Sequence, residues 1–375
     1  MTHRERFLAV LDRKEPDRMP FVPRLEVWYG RHSTMGTLPP RYAGKSAKEI
    51  YQMMDCGMPG REAIIYEQDW DLEVVIDEQE RTMKRTYVTP YGDVSELFRI
   101  DRDAIKKGGF KAKTAGKAEY MVKGPDDFKK VEYVINSMRF NPCYDKYVAY
   151  QEEMGDAGEA TTRSEYCAFY YMMEKLIGLS NFWFMYYDYT KEVESLYNVI
   201  CEKHKNDMTP VVKGCPARHV AYGRHHDTMM TPTPIFEKYM KPIMRIIGDE
   251  FRSAGILHCI HADADSKSLL ELYMESGVDL MECYCTYPMV SVTMEETLQR
   301  VGDKMLVWGG IPSTLLVPLS YDQKYFLDYI DDLFKVLERY KGKSRVVLGI
   351  ADNVLPEADI ERVEIISERC ANFKF

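Results

Sequence analysis

From Pro210 to the end of the chain, short apolar runs alternate with helix-length segments, and this alternation is what most restricts the fold. His219–Tyr222, Ile256–Ile260, Leu280–Cys283, Met305–Trp308 and Val346–Leu348 read as strands. Ile235–Phe251, Ser266–Glu275, Met294–Val301, Gln323–Arg339 and Ile360–Cys370 read as the helices that follow them. Five consecutive strand–helix units predict a parallel sheet whose carboxyl ends gather on one face, where residues distant in sequence meet. At 375 residues the chain exceeds a typical single domain but suits one barrel with insertions, a fold of ~250 residues that can run beyond ~400. The expected fold class is α/β, a (β/α)8 TIM barrel with an N-terminal β-hairpin excursion and a helical insertion.

Before Pro210 the pattern is less regular. Thr2–Asp12 predicts a helix with Phe7, Leu8, Val10 and Leu11 on its apolar side, punctuated by Pro16 and Pro20, and Met19–Val22 predicts a first strand. Asp71–Ile100 alternates like β structure around Val74-Val75-Ile76, Thr86-Tyr87-Val88 and the turn Thr89-Pro90-Tyr91-Gly92, which predicts a hairpin outside the barrel. Asp126–Lys205 reads as helical and crowded with aromatics, among them Phe169, Phe182, Trp183, Phe184, Tyr186 and Tyr187. Helix–helix packing accounts for such a cluster, because aromatics dominate cores; an aromatic wall over the barrel mouth is the functional alternative. No linker or low-complexity tract interrupts the chain, so residues 1–375 are expected to form a single domain with about 71–100 as an inserted hairpin.

The net charge of −9 argues against nucleic acid and anionic membrane as partners. No run of ~18 apolar residues occurs, and Met-Thr-His-Arg-Glu-Arg at the amino terminus leads into no apolar stretch, so the expected localisation is cytoplasmic. Nine cysteines, an odd number, favour reduced thiols used mostly in packing.

The chemistry-bearing residues follow the strand-like runs. One run leads into His261-Ala-Asp263-Ala-Asp265, the next into Glu282-Cys283-Tyr284-Cys285, and later ones into Gly309-Gly310 and Gly349-Ile-Ala-Asp352. His226 and Asp227, after the strand-like His219–Tyr222, are candidates to donate or position a proton, because histidine titrates near neutrality and an aspartate can orient it. A solvated Arg224-His225-His226-Asp227 loop is the competing reading. Tyr222 and Trp308 carry the same ambiguity between substrate contact and core. Gly310, with Gly309, permits close backbone approach and is expected to form a pocket floor. Asp263 and Asp265 can instead cap a helix starting near Ser266, Asp352 can cap a turn before Pro356, and His258 and Cys259 are expected to be buried packing residues. Cys283 and Cys285 share a face if the strand is regular, and packing is the favoured reading for both.

The opening Arg4-Glu-Arg-Phe-Leu-Ala-Val-Leu-Asp-Arg-Lys-Glu-Pro-Asp-Arg-Met-Pro20 resembles that of the uroporphyrinogen decarboxylase superfamily, including its corrinoid-linked methyltransferases. Pro234-Ile-Phe-Glu-Lys-Tyr-Met-Lys-Pro242, Gly277-Val-Asp279, Val301-Gly-Asp-Lys304, Gly309-Gly-Ile311 and the Pro356 turn match its landmarks in order. The resemblance implies the barrel. Where the porphyrin decarboxylases carry an arginine-rich loop for substrate carboxylates, this chain has Pro23-Arg24-Leu25-Glu26-Val27-Trp28-Tyr29-Gly30-Arg31. A glutamate beside the arginine makes a poor cradle for a polyanion, so porphyrin decarboxylation is disfavoured and Arg24, Glu26 and Trp28 remain as candidate substrate contacts.

The methyltransferase branch commonly holds zinc with a His-x-Cys and a later Cys. The positions matching that triad here are His261, Asp263 and Asp352, with both thiolates replaced by carboxylates. Zinc accepts imidazole and carboxylate, and a catalytic site needs three protein ligands and an open position; Glu282, Cys283 or Cys285 can supply or exchange a further ligand. Carboxylates leave a harder metal that prefers oxygen partners, which points to an O-methyl compound as the methyl donor. The resemblance thus implies transfer of a methyl group between a small methylated substrate and a corrinoid carried by a partner protein, with zinc as cofactor and a second copy of the chain as a further candidate partner. The alternatives are a decarboxylase of a non-porphyrin or tetrapyrrole carboxylate, with Asp227 or Asp263 stabilising a protonated intermediate, and a non-catalytic corrinoid or tetrapyrrole binder.

Overall fold

Six parallel strands, hydrogen-bonded in the order in which they occur in the sequence, carry the candidate residues: β1 (Thr162–Arg163), β2 (His219–Arg224), β3 (Leu257–His261), β4 (Leu280–Tyr284), β5 (Leu306–Pro312) and β6 (Arg345–Ala351). A computed structural model describes residues 1–100, 116–224, 226, 228 and 230–375. Sequence-order pairing is what repeated strand–helix units produce, because each helix returns the chain to start the next strand beside the last. β4, β5 and β6 are buried along their whole length. Strands covered on both faces read as continuous apolar runs, and this is why they are legible in the sequence.

The strands run further than their apolar cores. β5 continues through Gly309-Gly310-Ile311-Pro312 against Leu348-Gly349-Ile350-Ala351 of β6. Glycine contributes no apolar signal, but its backbone still bonds to the neighbouring strand. The helices at Met294–Val301 and Gln323–Tyr340 fall where expected. The helix expected from Ser266 starts only at Leu270, after a turn.

Both edges of the sheet are extended by isolated parallel bridges, Phe21 to Leu348 beside β6 and Ala63 to Thr162 beside β1. The expected first strand, Met19–Val22, is reduced to this bridge, with Val22 N donating to Leu348 O at 2.8 Å and Leu348 N to Pro20 O at 2.9 Å. Pro20 and Pro23 have no N–H to extend a ladder in either direction. Gly57 N donates to Phe21 O at 2.8 Å, so the segment leading to Ala63 meets the one at Phe21.

The first helix, His3–Leu11, is closed by a reciprocal capping box between Thr2 and Glu5. Its Phe7, Val10 and Leu11 form a core cluster with Val22, Ala221, Cys259, Leu280, Leu306, Trp308 and Val347 from five strands and the Phe21 edge. Trp308 belongs to that core: its indole N–H donates to Val22 O at 3.1 Å and its ring meets Phe7 edge-on at 4.9 Å.

These elements form one compact unit, residues 1–64, 145–163 and 216–375; a second unit comprises residues 65–144 and 164–215. In the second unit the expected hairpin is three strands, Val74–Glu78, Thr82–Tyr87 and Val94–Arg99, of an antiparallel four-stranded sheet completed by Gly116–Glu119. Its turn closes with Gly92 N donating to Thr89 O at 3.1 Å. The aromatic cluster packs on itself here, Phe169 edge-on to Phe182 at 5.0 Å and Phe182 edge-on to Trp183 at 5.4 Å, while Phe184 and Tyr187 are exposed. Among the described residues no helix is long and apolar enough to cross a membrane.

His219, at the start of β2, is fully buried against Phe7 with Nε2 3.2 Å from Thr161 Oγ1, and burial pulls its pKa down to about 4, with Arg218 adding to the effect. Unfolding restores an ordinary imidazole, so the unfolded chain binds more protons between the two values and stability falls as pH drops from about 6.5 to 4. This one residue accounts for about 3 kcal/mol. Urea titrations at stepped pH should show His219→Gln with a shallower acid slope than wild type; an unchanged slope would remove His219 as its source.

Candidate functional site

β3 ends at His261, and the β3–β4 register pairs His261 with Glu282, setting their side chains together at the carboxyl ends of the strands. His261 Nδ1 lies 2.7 Å from Glu282 Oε2; on the other side of the ring, Nε2 lies 3.2 Å from Asp263 Oδ2 and 3.7 Å from Asp352 Oδ1. Glu282 is 1% exposed and His261 5%, so these contacts form where water screens little. A neutral imidazole carries one N–H and cannot donate in both directions. With Nδ1–H on Glu282, an unprotonated Nε2 would face two carboxylate oxygens, so the arrangement calls for a second proton or a cation at Nε2.

Two arginines complete the cluster. Arg61 pairs with Glu282 Oε1 and also donates to Cys283 Sγ at 3.2 Å. Arg24 pairs with Asp352 Oδ1, donates to Cys283 Sγ at 3.3 Å and lies 3.9 Å from Glu26. Burial penalises the Arg24 cation, but Cys283, Glu26 and Asp352 outweigh it and hold its pKa above the usual value. Burial pushes the Cys283 thiol up, against the pull of Arg61 and Arg24. Three carboxylates, Asp263, Glu282 and Asp352, therefore face two permanent cations and one imidazole.

Backbone distortion aims these groups. The β4–β5 register shifts between Met281 and Tyr284, and Cys283 has φ 57°. In a regular strand consecutive side chains point to opposite faces; at this bulge Glu282 and Cys283 turn into the same cluster. Asp352, the first residue after β6, has φ 55°. Left-handed conformations of non-glycine residues are uncommon and gather at functional sites. Gly309 has φ 140°, and a Cβ there would collide with the Tyr284 backbone, so this glycine accommodates the neighbouring strand.

Two donor sets share His261. One is His261, Asp263 and Asp352; the other is His261, Glu282 and Cys283; within each, the ligand atoms lie within 4.8 Å of one another. The first set fits a divalent cation in charge and in the direction of its atoms. Glu282 on Nδ1 is the arrangement that orients metal-ligating histidines.

The structure thus brings together His261, Asp263, Glu282, Asp352 and Arg24, with Glu26 at the edge. Trp28 is instead a core residue, 1% exposed and packed on His32 and Tyr42. Tyr222 is core too, with its carbonyl facing His258 Nε2 at 2.9 Å, and so is Trp308. The carbonyl of Gly310 accepts from Thr286 Oγ1 at 2.9 Å, and a Cβ at this glycine would meet Met294 Cε at 3.1 Å. All four of these residues, expected as substrate contacts, are buried. His226 is buried beside Phe236 and Tyr273, with ring centroids 5.6 and 6.0 Å apart, while Asp227 lies outside the described residues. Asp265 does not cap the helix, which begins at Leu270 with no side-chain cap; it accepts from Lys267 N in the preceding turn at 3.1 Å and from Ser291 Oγ at 2.7 Å. Arg61 was not singled out in the sequence: it follows Pro59-Gly60 in a turn, with no apolar run beside it to mark a strand end.

The profile of the uroporphyrinogen decarboxylase (URO-D) family matches residues 162–373, more than half of the chain. The protein belongs to the uroporphyrinogen decarboxylase family. This family member has no match among curated proteins. Among solved structures it is similar to a methyltransferase from Methanosarcina mazei, with 12% identity and a TM-score of 0.53 over 99% of each chain. A muconate lactonizing enzyme from Pseudomonas putida aligns at 11% identity over 82% of this chain and 78% of that one, with a TM-score of 0.26, too low to bear on the fold.

Removing the Arg61 cation leaves Glu282 as an unpaired buried charge, and Arg61→Met is expected to cost about 3–5 kcal/mol in urea unfolding. Arg61→Met combined with Glu282→Gln should recover much of that loss, and strictly additive effects would show that the pair is not coupled. Gly309→Ala, which forces two strands apart, is expected to destabilise by about 1–3 kcal/mol in the same assay.

Proposed function

We propose that this family member is a cytoplasmic, zinc-assisted methyltransferase that moves a methyl group between a small O-methyl compound and a corrinoid carried by a partner protein. The observation that carries this reading is the convergence of His261 Nε2, Asp263 Oδ2 and Asp352 Oδ1 from two strand ends. Family membership and the likeness in fold to a methyltransferase over the whole chain support it. The finer fold is a closed (β/α)8 barrel, a single domain into which the 71–100 hairpin is inserted; the bridges at Phe21 and Ala63 and the Gly57–Phe21 hydrogen bond support closure beyond the six regular strands.

A zinc ion at this site would polarise the oxygen of a bound methyl ether and make it a better leaving group. The residues of the chain do the rest. His261, Asp263 and Asp352 would hold the ion, and Glu282, held by Arg61, would fix the ring of His261 with Nε2 pointing at it. Arg24, paired with Asp352 Oδ1, would hold that carboxylate in place beside the ion. His226 is assigned the proton for the departing alcohol or phenol, with Asp227, next to it in sequence, to orient it.

A second reading is favoured by one observation, the arrival of Arg61 beside Arg24 at a common contact, Cys283 Sγ. Two guanidinium groups suit a substrate carboxylate, which is the requirement of a metal-free decarboxylase.

Elemental analysis of purified protein should find one zinc per chain, lost in His261→Ala and Asp352→Ala and bound about 10- to 100-fold more weakly in Glu282→Gln. Incubation with a reduced corrinoid protein and a panel of methyl ethers should then give the absorption spectrum of a methylated corrinoid. Metal-free protein that releases carbon dioxide from carboxylated substrates would replace this reading with the second.

A further inference from the structure

At the end of the sheet opposite His261, a cavity of about 180 Å³ has Arg13, Lys14, Glu15, Asp303 and Arg345 in its wall. Arg345 is the first residue of β6, the strand whose far end leads into Asp352. It is 7% exposed, and its hydrogen bonds go only to backbone carbonyls: Nη1 donates to Leu11 O at 3.4 Å and Nη2 to Asp279 O at 3.2 Å, with Nε unpartnered among the described residues. A guanidinium group has five N–H donors and keeps its charge at neutral pH. Burial pulls the pKa of Arg345 down to about 10, and Arg13 adds to the fall, against Asp279 and Asp303.

Both of those carboxylates are engaged elsewhere. Asp279 Oδ2 accepts from His258 N at 2.9 Å and from Arg252 Nη1 at 3.4 Å. Asp303 Oδ2 lies 3.6 Å from Arg13 Nη1, which also donates to Asp303 O at 2.9 Å. Lys14 Nζ stands 4.0 Å from Asp12, and Asp12 is itself paired with Arg218. In the wall, three cations thus outnumber two acids, Glu15 and Asp303. A buried cation without a counter-ion is costly, and beside a cavity an anion that enters can supply the missing charge.

We propose that this cavity binds a phosphate group, free or as the head of a short phosphate monoester, between Arg345, Arg13 and Lys14. A phosphoryl group brings nearly two negative charges and three acceptor oxygens, and the planar fork of arginine matches them. The volume is about six times the ~30 Å³ share of a water molecule, room for such an anion, and below the ~300 Å³ at which sites for larger ligands begin. Arg345 supplies the buried charge. Arg13 and Lys14, whose side chains are exposed, form the rim by which the anion enters. The site lies a full strand away from His261, so its occupant stabilises the folded scaffold by mass action and takes no part at the reacting atoms.

Calorimetric titration of the full chain with sodium phosphate, at an ionic strength held constant with chloride, should show one saturable site per chain. Arg13→Ala and Lys14→Ala should each weaken it about tenfold, and Arg345→Met should abolish it. Arg24→Met, at the other end of the sheet, should leave it unchanged. Tighter binding of glycerol phosphate than of inorganic phosphate identifies a monoester as the occupant; equal or weaker binding identifies the free anion. Absence of saturable binding by wild type, or binding that Arg13→Ala and Lys14→Ala leave intact, overturns the assignment. Neither result bears on the metal reading, and the two exposed variants decide the matter even if Arg345→Met does not fold.

Discussion

The carboxylate of Glu282 is the group on which the rest of the site depends. It is 1% exposed and lies between the Arg61 guanidinium and the His261 ring. A buried carboxylate without partners gives up its charge rather than remain ionised in a poorly polarisable medium. Held by Arg61, it stays an acceptor, draws the Nδ1 proton of His261 and leaves Nε2 directed at Asp263 and Asp352. One ion pair thereby fixes a tautomer, a ring orientation and the direction in which a metal or proton must sit. It also ties three distant pieces of chain, the turn at Arg61, the end of β3 and β4, to one point.

The distortions of the sheet are concentrated at the same place. Its strands are regular and buried along most of their length, and their side chains close the core against the first helix. Toward the carboxyl ends the register shifts between Ala221 and Arg224 and between Met281 and Tyr284, Cys283 and Asp352 adopt left-handed backbones, and Gly309 gives way to the Tyr284 backbone. Strained positions of this kind persist when their surroundings over-determine them. Here Arg24 meets both Cys283 and Asp352, and the adjacent Glu282 and Cys283 reach a common centre.

Membership of a family fixes the scaffold more firmly than the chemistry, because function resides in the side chains that a fold presents. In this chain the presented set is two arginines, three carboxylates, an imidazole and a thiol. The carboxylates and guanidinium groups nearly cancel, which leaves the His261 ring as the group between them. The oxygen donors Asp263 and Asp352 group with His261 in one set, and Glu282 and Cys283 group with it in another.

The sequence alone determined the parallel α/β sheet, because strands buried on both faces must be apolar throughout and the helices between them must be amphipathic. It also located His261, Asp263, Glu282 and Asp352, since the last residues of such strands lie on a shared face. Three things required the tertiary structure. Arg61 comes from a turn with no periodic signal, and only the closing of the chain brings it to Glu282. The direction of Cys283 depends on a bulge, which shifts register without altering composition. The burial of Trp28, Tyr222 and Trp308 depends on which partners meet them; an aromatic after a strand has the same sequence signature whether it lines a cavity or fills a core. Periodicity reports which face a residue occupies, whereas contacts between distant segments decide what that face touches.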